Sequence, residues 1–318
     1  MSGAVKGRII RGIGGFYYVK DAKGREFSCK AKGLFRKQGT KPLVGDMCMF
    51  EEVPESDPDS ALPVGSITEI LPRKNELIRP AVANVDQAVL FFALKDPDVN
   101  PGLLDGFLVQ MELGGIPAAL VFNKSDLDEQ SGMEQRLRDR FANAPYRLFF
   151  ISVKEAGSEQ AEGSSDTASE DEEGLDSLRA LLKGRCSVLA GPSGAGKSSF
   201  INLIAPHALM ETGSISQKTQ RGKHTTRRSE LISLDNDTFI FDTPGFTALD
   251  YDSLTKEDVQ RGFAEIRKWS GECRFSGCSH ITEPGCRVLE KLEEGQISRE
   301  RYSSYVSMYK ACGERKRY

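Results

Sequence analysis

No apolar run in the 318 residues is long enough to cross a membrane, and no secretory signal pattern is read in them, so no membrane association or export is expected. No period of roughly 20 to 50 residues recurs, which excludes a solenoid or propeller. Disulfides are not expected either, since seven cysteines without an export signal point to a reducing, cytoplasmic interior. Basic side chains are missing from one stretch: residues 155–174 hold Glu155, Glu159, Glu162, Asp166, Glu170, Asp171, Glu172 and Glu173 with no Lys or Arg. That stretch reads as a disordered, solvated acidic insert between Lys154 and Leu175. Without its eight carboxylates the formal charge of −3 becomes +5.

The opposite imbalance marks the N-terminus. Residues 1–42 carry Lys6, Arg8, Arg11, Lys20, Lys23, Arg25, Lys30, Lys32, Arg36, Lys37 and Lys41 against only Asp21 and Glu26, an excess of nine positive charges. Such a patch suits phosphate backbones, and the acidic insert has competition with RNA for this patch as its alternative role. Short strands punctuated by turns are expected at Gly7–Ile10, Phe16–Val19, Glu26–Cys29, Asp46–Phe50 and Ser66–Ile70. Five strands within residues 1–72 suggest an all-β oligonucleotide-binding barrel. Phe16, Tyr17, Tyr18 and Phe27 would stack bases or fill that barrel, core filling being the expectation for any one of them.

Gly191-Pro192-Ser193-Gly194-Ala195-Gly196-Lys197-Ser198 has the form G-x-x-x-x-G-K-S, between an apolar run Cys186–Ala190 and a helical pattern Ser198–Ile204. In that setting glycines turn backbone N–H groups toward phosphates at a helix N-terminus, Lys197 reaches the β/γ-phosphates, and the Ser198 hydroxyl is placed for Mg²⁺. Asn123-Lys124-Ser125-Asp126 follows another apolar run, Ala118–Phe122. Asn123 and Asp126 would supply base specificity, because a carboxylate accepts from both N1–H and the 2-amino group of guanine, donors that adenine lacks. Ser152-Val153-Lys154, after Arg147–Ile151, fits a backbone contact to the guanine oxygen. In an ordinary GTPase the tetrad follows the phosphate loop; here it precedes it, the order of a circularly permuted domain. Alternation of strands with helices, including Ala88–Leu94 and a helix lined by Leu103, Leu104, Phe107, Leu108 and Met111, implies an α/β domain with a mostly parallel sheet over residues 73–250.

Asp242-Thr243-Pro244-Gly245 follows the apolar run Thr238–Phe241, presenting Asp242 on the Mg²⁺ side and the Gly245 amide toward a γ-phosphate. Residues 213–228, with Gly222-Lys223-His224-Thr225-Thr226, read as a switch segment in which Thr225 or Thr226 senses the metal. The place where many GTPases carry a water-orienting glutamine holds Phe246. His224 is then the nearest titratable candidate to orient the water or take its proton, with packing or RNA contact as its alternative.

Cys273, Cys278, His280 and Cys286 form C-x4-C-x-H-x5-C. Four soft ligands at that spacing match a closed, structural zinc site, free thiols being the alternative. Cys29, Cys48, Cys186 and Cys312 read as packing residues. Helical spacing continues over Cys286–Leu292 and Ile297–Lys310, with Tyr302, Tyr305, Val306 and Tyr309 on one stripe, so residues 251–318 form a small helical domain.

Taken in order, NKSD, GPSGAGKSS, GKHTT, DTPGF and CRFSGCSHITEPGCRV with the later RYSSY segment resemble the ribosome small-subunit-dependent GTPase A family of bacteria along the whole chain. The resemblance implies a GTP hydrolase that docks on the small ribosomal subunit and its rRNA late in maturation, with hydrolysis stimulated by the subunit and coupled to release. It assigns nucleotide binding to Asn123, Lys124, Asp126, Ser193–Ser199 and Asp242, one structural zinc to the Cys/His set, and a catalytic part to His224. A monomer is expected. The alternative is a nucleotide-regulated RNA-binding protein with little turnover.

Overall fold

The computed structural model describes residues 3–31, 35, 41–53, 62–77, 81–128, 132–162, 174–206, 230–242 and 254–314. In chain order the strands are β1 Val5–Ile13, β2 Phe16–Asp21, β3 Glu26–Ala31, β4 Met47–Glu52, β5 Val64–Ile70, β6 Glu76–Leu77, β7 Val82–Ala83, β8 Gln87–Ala93, β9 Ala118–Asn123, β10 Arg147–Ile151, β11 Cys186–Ala190, β12 Glu230–Ser233 and β13 Phe239–Asp242. The helices are α1 Pro101–Leu113, α2 Met133–Phe141, α3 Val153–Glu162, α4 Leu175–Leu182, α5 Lys197–Ile204, α6 Lys256–Gly262, α7 Ala264–Ser270, α8 Arg287–Glu293 and α9 Arg299–Glu314. Two compact units result, one of Met1–Gln87, Ala180–Leu189 and Ile201–Phe246, the other of Ala88–Arg179, Ala190–Phe200 and Thr247–Tyr318.

In the first unit the five expected strands close into a barrel. β1 pairs antiparallel with β2 and β4, β2 with β3, and β4 with β5, while β3 and β5 run parallel. Alternation sends Ile9, Val19, Phe27, Cys29, Cys48, Phe50 and Ile67 inward. Gly7 is required where β1 closes on β4, because a Cβ there would stand 2.4 Å from Val19 Cγ1 and 3.0 Å from Phe50 Cε1. Among the interleaved aromatics Phe27 fills the core, whereas Phe16 stays 40% exposed beneath the Lys30 ammonium. β1 also reaches past the barrel to pair with β12 at Arg11 and Glu230, and β12 continues antiparallel to β13, which lies parallel to β11.

In the second unit β8, β9 and β10 form a parallel ladder of continuously apolar strands. α1 crosses from β8 to β9, started by Pro101 and by the Asn100 side chain, which accepts from Leu103 N. One apolar face is expected of this helix, but it is buried nearly all round, Asp105, Gly106 and Val109 included, and Leu103 is only half-buried. The reason is a second cover: Val109 belongs to a core with Val259, Phe263, Ile266, Val288 and Tyr305. α6 comes so near that a Cβ on Gly262 would lie 2.5 Å from Val109 Cγ1. The tyrosine stripe on α9 packs here, as its spacing predicts, with Tyr305 fully buried.

Burying α1 on both sides buries Asp105, and its charge is met from two helices, α2 and α9. Arg301, itself fully buried, donates from Nη1 to Asp105 and from Nε and Nη2 to Glu265. Arg140 donates from Nη2 to Asp105 and from Nη1 to Glu300 at 3.0 Å. Burial alone would raise the Glu265 carboxyl; the Arg301 guanidinium overrides this and holds it below its usual value.

The acidic stretch differs from its expectation of disorder. α3 covers its first eight residues, 155–162, since Ser152 Oγ accepts from Glu155 N at 3.3 Å as a cap and the Glu, Gln and Ala that follow are good helix formers. Residues 163–173 lie outside the described residues, as do the switch segment with His224, Thr225 and Thr226, the Thr243–Phe246 string, and Lys32, Arg36 and Lys37 of the basic patch. No helix among the described residues is long and apolar enough to cross a membrane.

Arg301→Ala leaves buried Glu265 without its guanidinium and Asp105 with Arg140 alone, so thermal or denaturant unfolding should show a loss of about 3–5 kcal/mol. Asp105→Asn in the same background should recover part of it, and a single-variant loss below about 1 kcal/mol would show that water, not Arg301, neutralises the pair. Because the Glu265 carboxyl is depressed, its stabilisation is present above the ordinary glutamate pKa of about 4.3 and is lost as pH falls below it.

Candidate functional site

The phosphate loop runs from the end of β11 into α5, and its glycines are fixed by close approaches. Gly191 has φ +145°, and a Cβ there would lie 2.0 Å from the Phe91 carbonyl oxygen of β8. Gly196 has φ +98°, and its Cβ would stand 2.3 Å from Asn123 Nδ2. Gly194, at φ +79°, supplies a third turn that a side chain would strain. Ser193, Ser198 and Ser199 are exposed and Ala195 is buried, so the hydroxyls lie on the solvent side of the loop. Lys197 Nζ donates to the carbonyls of Gly191 at 2.8 Å and Pro192 at 2.6 Å, which holds the ammonium over the loop.

Asn123 joins this loop to the tetrad. Its buried amide donates from Nδ2 to Ala195 O at 2.9 Å and accepts at Oδ1 from Val153 N at 3.0 Å. Each end of the amide keeps a second hydrogen-bonding position beyond the backbone bond it makes, so the bridge leaves room for the base contact expected of Asn123. Lys124 then turns left-handed at φ +64° and donates to the Asp96 carbonyl. Asp126 follows in a short 3-10 turn, where Oδ1 accepts from Ser152 Oγ at 2.8 Å. The tetrad, the phosphate loop and Ser152-Val153 therefore meet within the second unit, although they come from three separated stretches of chain. Asp242 closes β13, opposite Glu230. The remaining candidates, His224, Thr225, Thr226 and Gly245, fall outside the described residues.

The Cys/His set converges as the spacing predicts. One ligand atom from each of Cys273, Cys278, His280 and Cys286 lies within 4.8 Å of the others. Cys273 Sγ and Cys286 Sγ are 3.9 Å apart, and each is 3.5 Å from His280 Nδ1. A tetrahedral zinc bound at about 2.3 Å to sulfur and 2.0–2.1 Å to nitrogen requires edges of about 3.5–3.8 Å, so these residues fit the ion. Burial pushes the Cys278 thiol up to about 12 and lowers the His280 imidazole, and a divalent cation would reverse the cost of ionising the sulfurs.

The loop that carries the ligands is held from outside it. Glu283, missed in the sequence, accepts from the amides of Ser279, Ile281 and Thr282 and from Ser279 Oγ. Tyr302 and Tyr305 donate their hydroxyls to the carbonyls of His280 and Ser279, and Gln260 Nε2 donates to that of Cys278. These clamps keep His280 at its left-handed φ of +60°. They also show why the tyrosine stripe is both packing and support for the cluster.

Residues 70–252 match the RsgA GTPase family, and residues 6–58 match the RsgA N-terminal domain. The chain belongs to the RsgA GTPase family. A curated relative in Agathobacter rectalis, named small ribosomal subunit biogenesis GTPase RsgA, is 45% identical over 98% of this chain and 99% of its own. A relative of the same name in Caldanaerobacter subterraneus is 41% identical over 98% and 97%. Among solved structures, YloQ, described as a circularly permuted GTPase, aligns with a TM-score of 0.76 at 32% identity, covering 99% of this chain and 98% of its own. YjeQ from Thermotoga maritima aligns at 0.78 and 30%, covering 98% and 100%. The RsgA family thus accounts for the permuted order of tetrad and phosphate loop, for the barrel before them, and for a GTP-hydrolysing activity.

Gly196→Ala should lower affinity for a fluorescent GTP analogue at least about tenfold, some 1.4 kcal/mol, by pushing Asn123 off Ala195. Affinity within about twofold of the parent would show that the Asn123 bridge does not set the binding loop.

Proposed function

We propose that this chain hydrolyses GTP while docked on the small ribosomal subunit, late in the maturation of that subunit, and leaves it after hydrolysis. What carries the reading is the convergence of Asp126, Ser152 and the phosphate loop around the Asn123 bridge, in the permuted order of the family, together with the name its curated relatives bear. Domain limits follow the sequence: a barrel over residues 1–72, a permuted GTPase domain over 73–250 and a zinc-binding domain over 251–318.

In this reading Asp126 accepts from the guanine edge, with Lys124 and the Ser152-Val153 backbone beside the base. The amides from Gly191 to Ser199 hold the phosphates and Lys197 neutralises the β/γ charge. Ser198, Asp242 and Thr225 or Thr226 hold Mg²⁺, which when bound offsets charge that grows on the phosphate oxygens. The Gly245 amide meets the γ-phosphate. Phe246 offers no group to orient water, so His224 takes that part. Zinc sits among Cys273, Cys278, His280 and Cys286, and four protein ligands leave it a structural rather than a reacting ion.

The basic barrel supports rRNA as the contacted component of the subunit, with GTP favouring the docked arrangement and GDP the released one. The protein acts as a monomer in the cytoplasm.

His224→Ala should slow GTP turnover in the presence of purified small subunits about 100-fold or more with GTP affinity unchanged, measured by phosphate release and nucleotide titration. Parallel loss of binding and turnover would remove the catalytic role, and turnover indifferent to subunits would remove the docking. Metal analysis of the purified chain should find about one zinc per molecule, and Cys286→Ala should abolish it and lower the melting temperature; zinc retained at full occupancy would rule out the four-ligand site.

A further inference from the structure

The excess positive charge of residues 1–42 suggests a barrel whose basic side chains all await a polyanion, yet three of them are already engaged with β12 and β13. Arg11 Nη1 bonds Glu230 Oε1 of β12 at 3.2 Å, and its guanidinium stacks 4.1 Å from the Tyr18 ring. Lys20 Nζ donates to Ser233 Oγ, at the other end of β12, at 2.6 Å. Arg8 lies 5.1 Å from the Phe239 ring of β13, and Lys20 is 5.8 Å from the same ring. Arg8 Nη1 is buried with no hydrogen-bond partner among the described residues.

The backbone runs the same way. Arg11 stands opposite Glu230 across β1 and β12, and Glu230 stands opposite Asp242 across β12 and β13. Arg11, Glu230 and Asp242 therefore form one row over three strands, about 10 Å from first to last at the usual strand spacing. Exposed Lys6, Lys23, Lys30 and Lys41 stay on the solvent side for a polyanion. The barrel wall thus has two jobs, one facing solvent and one gripping the ladder that ends at Asp242.

We propose that Arg11 and Glu230 are a positioning pair through which RNA seated on the barrel sets the placement of Asp242, so that subunit docking is passed to hydrolysis by way of the β1–β12–β13 row. The proposal rests on the reading above, in which Asp242 lies beside Mg²⁺ and the subunit stimulates turnover. Neither residue of the pair is among the nucleotide-binding residues of that reading, and a partly exposed ion pair contributes little to stability, so its removal leaves the fold in place. The effect belongs in coupling.

The experiment compares wild type, Arg11→Met, Glu230→Gln and the reversed pair Arg11→Glu/Glu230→Arg. GTP hydrolysis is measured alone and with purified small ribosomal subunits, with cosedimentation for affinity and thermal melting for folding. Unstimulated rates and subunit affinity should stay within about twofold of wild type, while the stimulated rate falls about three- to tenfold in each single variant. The reversed pair should regain most of the stimulation. Undiminished stimulation in both single variants overturns the proposal. So does an equal fall with and without subunits, which marks a structural role, or a loss of affinity that accounts for the fall, which makes Arg11 an RNA contact. Should the wild type itself gain nothing from subunits, the underlying reading fails first and the coupling falls with it.

Discussion

One buried carboxamide holds the nucleotide-facing loops together. Asn123 spends its donor on Ala195 O and its acceptor on Val153 N. With those two bonds it fixes the phosphate loop against the tetrad and the tetrad against the start of α3. The loops come from stretches 72 and 30 residues away in the chain, so no local propensity could set their spacing. Burial makes the arrangement exacting: an unpaired amide in that position would lose more than a neutral hydrogen bond is worth in water. Gly196 and Gly191 are the other half of the same constraint, since only a residue without Cβ lets the loop come this near to Asn123 and Phe91. Asp126 then needs only Ser152 to be aimed.

A second polar cluster does for the helices what Asn123 does for the loops. α1 is covered by the parallel strands on one side and by α6 on the other, and the charge of Asp105 is the price of that double burial. Arg301 and Arg140 answer it, with Glu265 balancing the guanidinium. Such a set is a weak source of net stability against an apolar equivalent, because each ion must be desolvated. Its bonds join α7 and α9 to α1 and α2. The loop of the Cys/His set is then clamped to α9 by Tyr302 and Tyr305 and to α6 by Gln260.

Motifs were legible in the sequence wherever the chemistry is local. The phosphate loop, the tetrad and the Cys/His spacing each lie within 14 residues or fewer, and the residue types alone name the ligand class. Strand alternation was legible for the same reason, and the five barrel strands fall where expected with ends moved by a few residues. What stayed hidden depends on partners far along the chain. Asp105 sits in an apolar helix that reads as one-faced, and Arg301 lies 196 residues away. Arg8, Arg11 and Lys20 count as solvent-facing charge until β12 and β13 are placed beside them. Composition misled at α3, where a run of carboxylates suggested no structure although Ser152 caps it and the residues favour a helix.

The separation of Asp105 from Arg301 has a consequence during synthesis. A nascent chain emerging from the ribosome presents α1 long before α9 exists, and until then Asp105 can draw only on Arg140, 35 residues downstream. The apolar helix must wait, partly uncovered, while nearly two hundred further residues are translated. Completion of the fold is thereby tied to completion of the message, and a prematurely stopped product would leave a greasy helix bearing a lone acid on view to chaperones and proteases.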